Sequence, residues 1–402
     1  MHKRFDISNY RTRLTLLVIL MVGVICSMIL VFIQSKQTTL PTAASEAPAK
    51  TATTKPFEPR LVTEEVASGL SHPWDVVFIS ENTLLFNERD GKITLLEDGK
   101  KHIIADINNV YAAGEGGLTG LALDANFSEN RYLYTCFNAQ TASGLDVRLV
   151  RWKLATDNKS LEERNDIVTG IPSNASGRHS GCRVRAAKDG NLWVGTGDAA
   201  KAQTPQDPKS LGGKILHITR DGMPAGNNLP APFDPRIFSY GHRNVQGLVL
   251  FDEPTKDDVY GYSVEHGSDQ DDEVNLIKKG NFGWAPKVTY VEKGIPMTDL
   301  TRFPDAIPAI WSSGSPTIAP SGATLLSGKK WGTYDNSLAV AVLKGKQVKL
   351  LQFDKTHALL QEKTVLTEFG RIRSAALSPK GDLYITTDDG SDDKIIKVIP
   401  VE

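Results

Sequence analysis

The chain has 402 residues, with 46 Lys and Arg against 47 Asp and Glu, and 40% of its residues are hydrophobic. These values are typical of a soluble globular protein and exclude a disordered chain, a multi-span membrane protein and a collagen-like fibre. The near-neutral charge argues against binding to nucleic acid, which requires a strongly basic face.

The first predicted element is an apolar helix over residues 14–33, a stretch without any charged residue. At about 1.5 Å per residue this helix is about 30 Å long, which matches the core of a bilayer. Four basic residues precede it: Lys3, Arg4, Arg11 and Arg13. The positive-inside rule then predicts a single-pass signal anchor in the inner (cytoplasmic) membrane, with residues 1–13 in the cytoplasm and the rest on the periplasmic side. A cleaved signal peptide is the alternative.

Residues 34–59 are rich in Thr, Ala and Pro, and they contain too few large apolar side chains to form a core. This composition predicts a disordered linker. We therefore expect one folded domain over residues 60–402.

That domain contains a recurring pattern in which an apolar stretch, a polar turn and an alternating strand follow one another. Six segments share the pattern: 76–96, 121–138, 186–198, 249–267, 337–353 and 377–389. Strand repeats of this size are typical of a β-propeller, so we predict an all-β fold with six blades. A large β-sandwich or jelly roll is the alternative.

The chain has three cysteines, and Cys26 falls in the apolar helix. One possibility is that the other two cysteines, Cys136 and Cys182, form a disulfide. The sequence favours two unpaired, half-buried thiols instead.

Polar clusters between the predicted strands are candidates for a site. His179 lies between two glycines, and Asp198 ends the following strand, where it could orient the imidazole as a general base requires. Residues 239–247 (SYGHRNVQG) form a second dense polar stretch. Each cluster has an ordinary alternative, a structural histidine in the first case and a solvated loop in the second.

Residues 265–273 (EHGSDQDDE) carry five carboxylates in nine positions. Such a run is either a calcium site, because calcium prefers oxygen ligands, or an acidic surface loop. Near the C-terminus, Lys344, Arg371 and Arg373 form a basic set. Alternation places Arg371 and Arg373 on one face of an extended segment, where they could clamp a carboxylate or form a surface pair.

In their order along the chain, these clusters resemble the motifs of the soluble glucose and aldose sugar dehydrogenases that depend on pyrroloquinoline quinone (PQQ). The resemblance extends over about residues 62–399. The stretches that carry it include GEGGLTGLALDANFSENRYLY (114–134), SYGHRNVQGL (239–248), EHGSDQDDEVNLIKKGNFGW (265–284) and GRIRSAALSPKGDLYITTDD (370–389).

The resemblance implies a six-bladed propeller that holds PQQ and Ca²⁺ and oxidises an aldose at C1. It implies His179 as the general base, Asp198 as the residue that tunes it, and Arg243 as a further member of the catalytic set. The implied cofactor-binding residues are Arg243, Asn244, Thr317, Lys344, Arg371 and Arg373. Gln203 is implied as a sugar contact. The implied calcium ligands are the carbonyls of Gly267 and Ser268, with Asp271 and Asp272 as weaker candidates.

No haem-attachment motif (CxxCH) is present in the sequence. Electrons must therefore pass to a separate acceptor, such as a quinone or a cytochrome. The other expected partners are an aldose substrate and the membrane. Two other functions stay open: a non-catalytic, membrane-tethered binding propeller and a calcium-dependent propeller lactonase.

Overall fold

The structure is a computed structural model that describes residues 57–402. The predicted anchor over residues 14–33 lies outside the described residues. Within the described range, no helix has the length and hydropathy of a membrane span.

Six antiparallel sheets account for nearly all of the regular structure. The first is β2 (Pro73–Phe78), β3 (Thr83–Glu88), β4 (Lys92–Glu97) and β5 (Lys100–Asp106). The second is β6 (Leu118–Leu123), β7 (Tyr132–Thr141), β8 (Gly144–Leu154) and β9 (Leu161–Ile171). The third is β10 (Gly181–Ala186), β11 (Leu192–Thr196), β12 (Lys214–Ile218) and β13 (Ile237–Tyr240). To this third sheet the short strand β17 (Gly280–Asn281) adds in parallel.

The fourth sheet is β14 (Val245–Leu250), β15 (Gly261–Glu265), β16 (Glu273–Leu276) and β18 (Trp311–Ser312). The fifth is β19 (Pro320–Leu325), β20 (Leu338–Val342), β21 (Gln347–Phe353) and β22 (Leu359–Val365). The sixth is β23 (Ile372–Leu377), β24 (Leu383–Thr387), β25 (Asp393–Val401) and β1 (Arg60–Leu70). Two short helices complete the set: an α-helical turn at Phe127–Asn130 and a 3₁₀ segment at Lys329–Tyr334.

The first strands of successive sheets contact one another in a ring, from β2 through β6, β10, β14, β19 and β23 back to β2. This arrangement is a six-bladed β-propeller, which confirms the predicted fold. β1 pairs with β25, so the N-terminal strand completes the last blade. The six repeated segments each fall in a different blade. The repeat at 337–353 lies on the second and third strands of its blade, because β19 precedes it.

Apolar clusters fill the spaces between neighbouring blades. One contains Tyr134 and Cys136 of the second blade packed with Cys182 and Val184 of the third, all fully buried. Cys136 and Cys182 form a disulfide, with their Cα atoms 5.8 Å apart. The expectation of two unpaired, half-buried thiols is therefore wrong. Sequence spacing did not reveal that two neighbouring blades bring these positions face to face.

One long connection departs from the regular blade plan. Residues 282–310, between β17 and β18, contain no strand. This connection supplies three of the side chains in the site described next.

Candidate functional site

His179 precedes the innermost strand of the third blade and is only 4% exposed. Its backbone is left-handed, with φ of 51°. Close packing explains the glycines on either side of it, since a Cβ on Gly177 would lie 1.6 Å from the carbonyl oxygen of Ala113 and one on Gly181 would lie 2.5 Å from the backbone nitrogen of Gly197. The sequence around His179 thus holds the imidazole in a fixed, buried position.

The imidazole forms a hydrogen bond with Asp198, as the sequence predicted. Nδ1 of His179 lies 2.8 Å from Oδ1 of Asp198, which is fully buried. Oδ2 of Asp198 accepts hydrogen bonds from Trp284 Nε1 at 2.8 Å and from the Tyr290 hydroxyl at 2.7 Å. The Tyr290 oxygen is also 2.8 Å from Nδ1 of His179. A carboxylate with these donors keeps the proton on Nδ1 and leaves Nε2 as the basic nitrogen.

Arg243 lies in the loop between the third and fourth blades and is 5% exposed. Its carbonyl accepts the Asp198 N–H at 2.9 Å, so the backbone joins it directly to the His179–Asp198 pair. The guanidinium donates to Glu292 through Nε at 2.9 Å and to the carbonyl of His266 through Nη1 at 3.0 Å. Burial alone would lower the pKa of Arg243, but the Glu292 carboxylate raises it above its usual value.

A buried network holds this loop in place. Glu265 accepts the backbone N–H of Arg243 at 3.0 Å and lies 2.9 Å from Nδ1 of the fully buried His242. Asn244 donates to Glu115 at 3.0 Å, and Glu115 in turn accepts the backbone N–H of His179. Burial would raise the pKa of Glu115, but the nearby imidazoles and donors hold it below its usual value.

The predicted basic set divides into two kinds of environment. Arg373 is buried, donates to the Asp388 carboxylate through Nε at 2.9 Å and lies 3.7 Å over the ring of Trp74. Arg371 is only half-buried and donates to the carbonyl of Asp388 at 3.0 Å. Both arginines thus bind Asp388, Arg373 through the carboxylate and Arg371 through the backbone carbonyl, and only Arg373 lies within β23, which begins at Ile372.

Lys344 is exposed, and its ammonium lies 3.3 Å from the hydroxyl of Thr317. Neither Lys344 nor Arg371 forms an ion pair within residues 57–402. Gln203 is exposed, and its carbonyl accepts the N–H of Asp207 at 3.1 Å. The site therefore presents two cations without a carboxylate partner in the described part of the chain, which fits an anionic ligand.

The predicted calcium loop is held together by its own carboxylates. Asp272 is 1% exposed and accepts the N–H groups of Gly267 at 2.8 Å and Ala319 at 2.9 Å. Asp271 accepts the Ser312 hydroxyl at 2.8 Å. These side chains therefore brace the loop. Calcium ligation by the carbonyls of Gly267 and Ser268 stays a prediction.

Another carboxylate group lies beside Arg373. His72, Asp388 and Asp393 have potential ligand atoms within 4.8 Å of one another. Asp388 is paired with Arg373 and His72, and Asp393 accepts the N–H groups of His72, Asp389 and Gly390. These carboxylates already have partners, so they serve to hold the last blade against the first.

Sequence reasoning missed Glu115, Trp284, Tyr290 and Glu292. Glu115 and Trp284 lie inside stretches that carry the family resemblance, so their position in those stretches was a usable signal. Tyr290 and Glu292 lie in a segment (KVTYVEKG) without such a signal, because their partners are 49 to 114 residues away in sequence.

The sequence model of the glucose / sorbosone dehydrogenase family matches residues 70–397. An uncharacterised protein of Synechocystis is 30% identical over 83% of this chain and 85% of its own length. The aldose sugar dehydrogenase YliI of Escherichia coli is 28% identical, over 84% of this chain and 92% of that protein.

Solved structures agree with these sequence matches. The PQQ-bound aldose sugar dehydrogenase of Streptomyces coelicolor is 28% identical and superposes with a TM-score of 0.68. The superposition covers 85% of this chain and 99% of that one. The propeller, the site and the matched residues therefore lead to one conclusion: this chain belongs to the glucose / sorbosone dehydrogenase family, a family of sugar-oxidising enzymes.

Proposed function

We propose that this protein oxidises an aldose at C1 to the lactone, with PQQ as cofactor and His179 as the general base. The observation that carries the proposal is the 2.8 Å bond between His179 Nδ1 and the buried Asp198. A fixed Nδ1 proton leaves Nε2 free to accept another, as a general base requires. The match to a PQQ-bound aldose sugar dehydrogenase supports the choice of cofactor.

The cation set supports an anionic, quinone-bearing ligand. PQQ carries carboxylates, which Lys344 and Arg371 would bind, since neither has an ion-pair partner in the described range. Arg243, Asn244, Thr317 and Arg373 would add further polar contacts. When bound, PQQ would accept the hydride that leaves C1 of the sugar.

The protein's own residues would handle the proton. His179 Nε2 would take the proton of the C1 hydroxyl as the hydride departs, so the sugar loses two electrons and two hydrogens and becomes the lactone. Asp198 would stabilise the imidazolium that forms, and Gln203 would contact the sugar. Because His179 is buried, bulk water is kept away from the proton transfer.

Calcium is part of the proposal, with the carbonyls of Gly267 and Ser268 as ligands. Carbonyl oxygens suit this hard cation, which would add Lewis acidity beside the quinone. The carboxylates of Asp271 and Asp272 would act indirectly, by shaping the loop that presents those carbonyls.

We also propose that residues 14–33 anchor the enzyme in the inner membrane and that residues 60–402 face the periplasm. The disulfide supports this location, because disulfides persist in oxidising compartments. Electrons would then pass to a quinone or cytochrome at the same membrane. Carbonate extraction and protease digestion of spheroplasts test the arrangement: release by carbonate, or protection from protease, would count against it.

The function is tested on the full-length protein, purified in detergent without cofactor. PQQ and calcium are added, and dye reduction is followed across a panel of aldoses, with His179→Ala as the control. Sugar-dependent reduction that needs both PQQ and His179 supports the proposal. A folded protein that binds no PQQ would point instead to a non-catalytic binding propeller.

A further inference from the structure

Residues 287–295, here called the strap, contact both the His179–Asp198 pair and Arg243. Tyr290 contacts His179 and Asp198, whereas Glu292 contacts Arg243 and Arg178. The strap belongs to the strandless connection between β17 and β18, so no sheet ladder fixes it.

Glu292 supplies the negative charge that Arg243 requires in its buried position. Its carboxylate accepts from both Nε and Nη2 of Arg243, and the Arg178 guanidinium donates to its other oxygen. The side chain of Arg243 is 6% exposed and that of Glu292 is 15% exposed. An unpaired guanidinium in such surroundings is costly, so this ion pair is an important contact of the strap.

The strap has little apolar attachment of its own. Val288 is 94% exposed and Val291 is 43% exposed, and neither contributes to the core. Its internal backbone bonds are short-range, from Tyr290 N–H to the Lys287 carbonyl at 2.7 Å and from Ile295 N–H to the Glu292 carbonyl at 2.9 Å. Leaving the site would therefore expose little apolar surface, chiefly the ring of Tyr290, which lies 5.7 Å from the His179 ring, and the half-buried Ile295.

Arg243 is also one of the residues that the proposed function assigns to the cofactor. An anionic quinone placed against this guanidinium would meet the Glu292 carboxylate at the same group, and two like charges at a buried site repel each other strongly. Nε and Nη2 of Arg243 already donate to Glu292 and Nη1 donates to the carbonyl of His266, so this guanidinium has few donors left for a second anion, even though Arg178 also contacts Glu292.

We propose that Glu292 is an internal competitor of the cofactor for Arg243, and that the strap must release Arg243 when the cofactor binds. This inference rests on the proposed function, because it requires the cofactor to bind at Arg243. Tyr290 ties the same strap to the base, so loading of the cofactor and alignment of His179 are linked. The cofactor-free protein is thereby held in a closed, charge-balanced state.

The test is a comparison of PQQ binding by the full-length protein and by Glu292→Gln, measured by calorimetry and by tryptophan emission. Emission is informative because Trp284 lies 5.6 Å from the Arg243 guanidinium. Removing the competitor increases the fraction of protein that is competent to bind, so the apparent Kd falls roughly tenfold. Without PQQ, the same variant melts at a lower temperature than the wild type, because its ion pair is lost.

Glu253→Gln is the matched control, since it removes the same charge from an exposed side chain away from the site. Glu292→Ala is the second variant, because the amide that Glu292→Gln introduces could still accept a hydrogen bond from Arg243 and so mask the increase in PQQ affinity. Equal or weaker PQQ binding by both Glu292 variants, with the wild type binding, overturns the competition and leaves the proposed function standing. Failure of all of these proteins to bind PQQ, while each is folded by circular dichroism, overturns the proposed function itself.

Discussion

Cys182 follows His179 by three residues, and its disulfide with Cys136 ties the loop of His179 to the second blade. The bond joins β7 to β10 across the interface of two blades and is fully buried. The position of His179 therefore depends on a covalent link to a neighbouring blade as well as on its own blade.

Replacing both cysteines by Ala should lower the free energy of unfolding by about 2–4 kcal/mol, because the bond closes a loop across a sequence separation of 46 residues. The rate of sugar oxidation should fall as well, since the loop of His179 becomes freer. Urea denaturation and dye-reduction kinetics measure the two effects. Wild-type protein that is unfolded with a reductant, to expose the buried disulfide, and refolded under reducing conditions should show both effects, whereas the same treatment should change nothing in the double variant. Full activity of that variant would contradict the expected link to His179.

Asp198→Asn should lower kcat by about 10²–10⁴, because an amide no longer keeps the proton on Nδ1 of His179. Trp284→Phe should give a smaller loss, since it removes only one donor to Asp198. Trp152→Phe is the matched control, because its indole donates to Thr135, away from the site. Steady-state kinetics over a range of pH make the comparison, and an unchanged pH profile in Asp198→Asn would exclude the tuning role.

Lys344→Met and Arg371→Met should each weaken PQQ binding by about 10- to 100-fold, because a charge-assisted hydrogen bond contributes about 1.5–3 kcal/mol. Both side chains lack an ion-pair partner within residues 57–402, so their removal leaves no buried charge unpaired there. Lys346→Met, an exposed lysine in the same turn as Lys344, is the control. Calorimetry gives the affinities, and equal Kd values for all four proteins would show that these cations do not contact the cofactor.

Because of Asp388, the free energy of unfolding should depend on pH in the acidic range. Burial would raise its pKa, but Arg373 and His72 lower it to about 2, from a usual value of 3.8. A carboxylate with a depressed pKa stabilises the fold fully above its unfolded pKa, and this contribution is lost as the pH falls toward 2. The lost contribution is about 2 kcal/mol.

The measurement is the free energy of unfolding of the wild type and of Asp388→Asn at several pH values. The difference between the two free energies of unfolding should shrink by about 2 kcal/mol as the pH falls from about 4 to about 2, because protonated Asp388 resembles Asn. Asp305→Asn, at an exposed position, provides the reference. A gap that stays constant across this range would contradict the assigned ion pair.

The sequence predicted the propeller because its signal is local. Each repeat joins adjacent strands through a short turn, so periodicity and turn residues are visible without any knowledge of long-range contacts. The His179–Asp198 pair was predictable for a related reason, since the two residues flank neighbouring strands of one blade.

Contacts between separate parts of the chain were not predictable in the same way. The partners Tyr290 and His179 are 111 residues apart, and no periodic pattern surrounds either Tyr290 or Glu292. The disulfide was missed because it depends on which faces of two blades meet. Alternation predicts Arg371 and Arg373 on one face of an extended segment, but it does not reveal that the strand begins between them and that only Arg373 is buried.

The pairing of β1 with β25 has a consequence for biosynthesis. The first strand of the propeller to leave the ribosome pairs with the last, so during translation it presents an unpaired edge until residues Asp393–Val401 have been made. In a nascent or truncated polypeptide the propeller is therefore not closed, and the edge of its first strand is free to pair with another chain. We expect loss of the final strand to cause aggregation during folding rather than a local defect, however far that strand lies from His179.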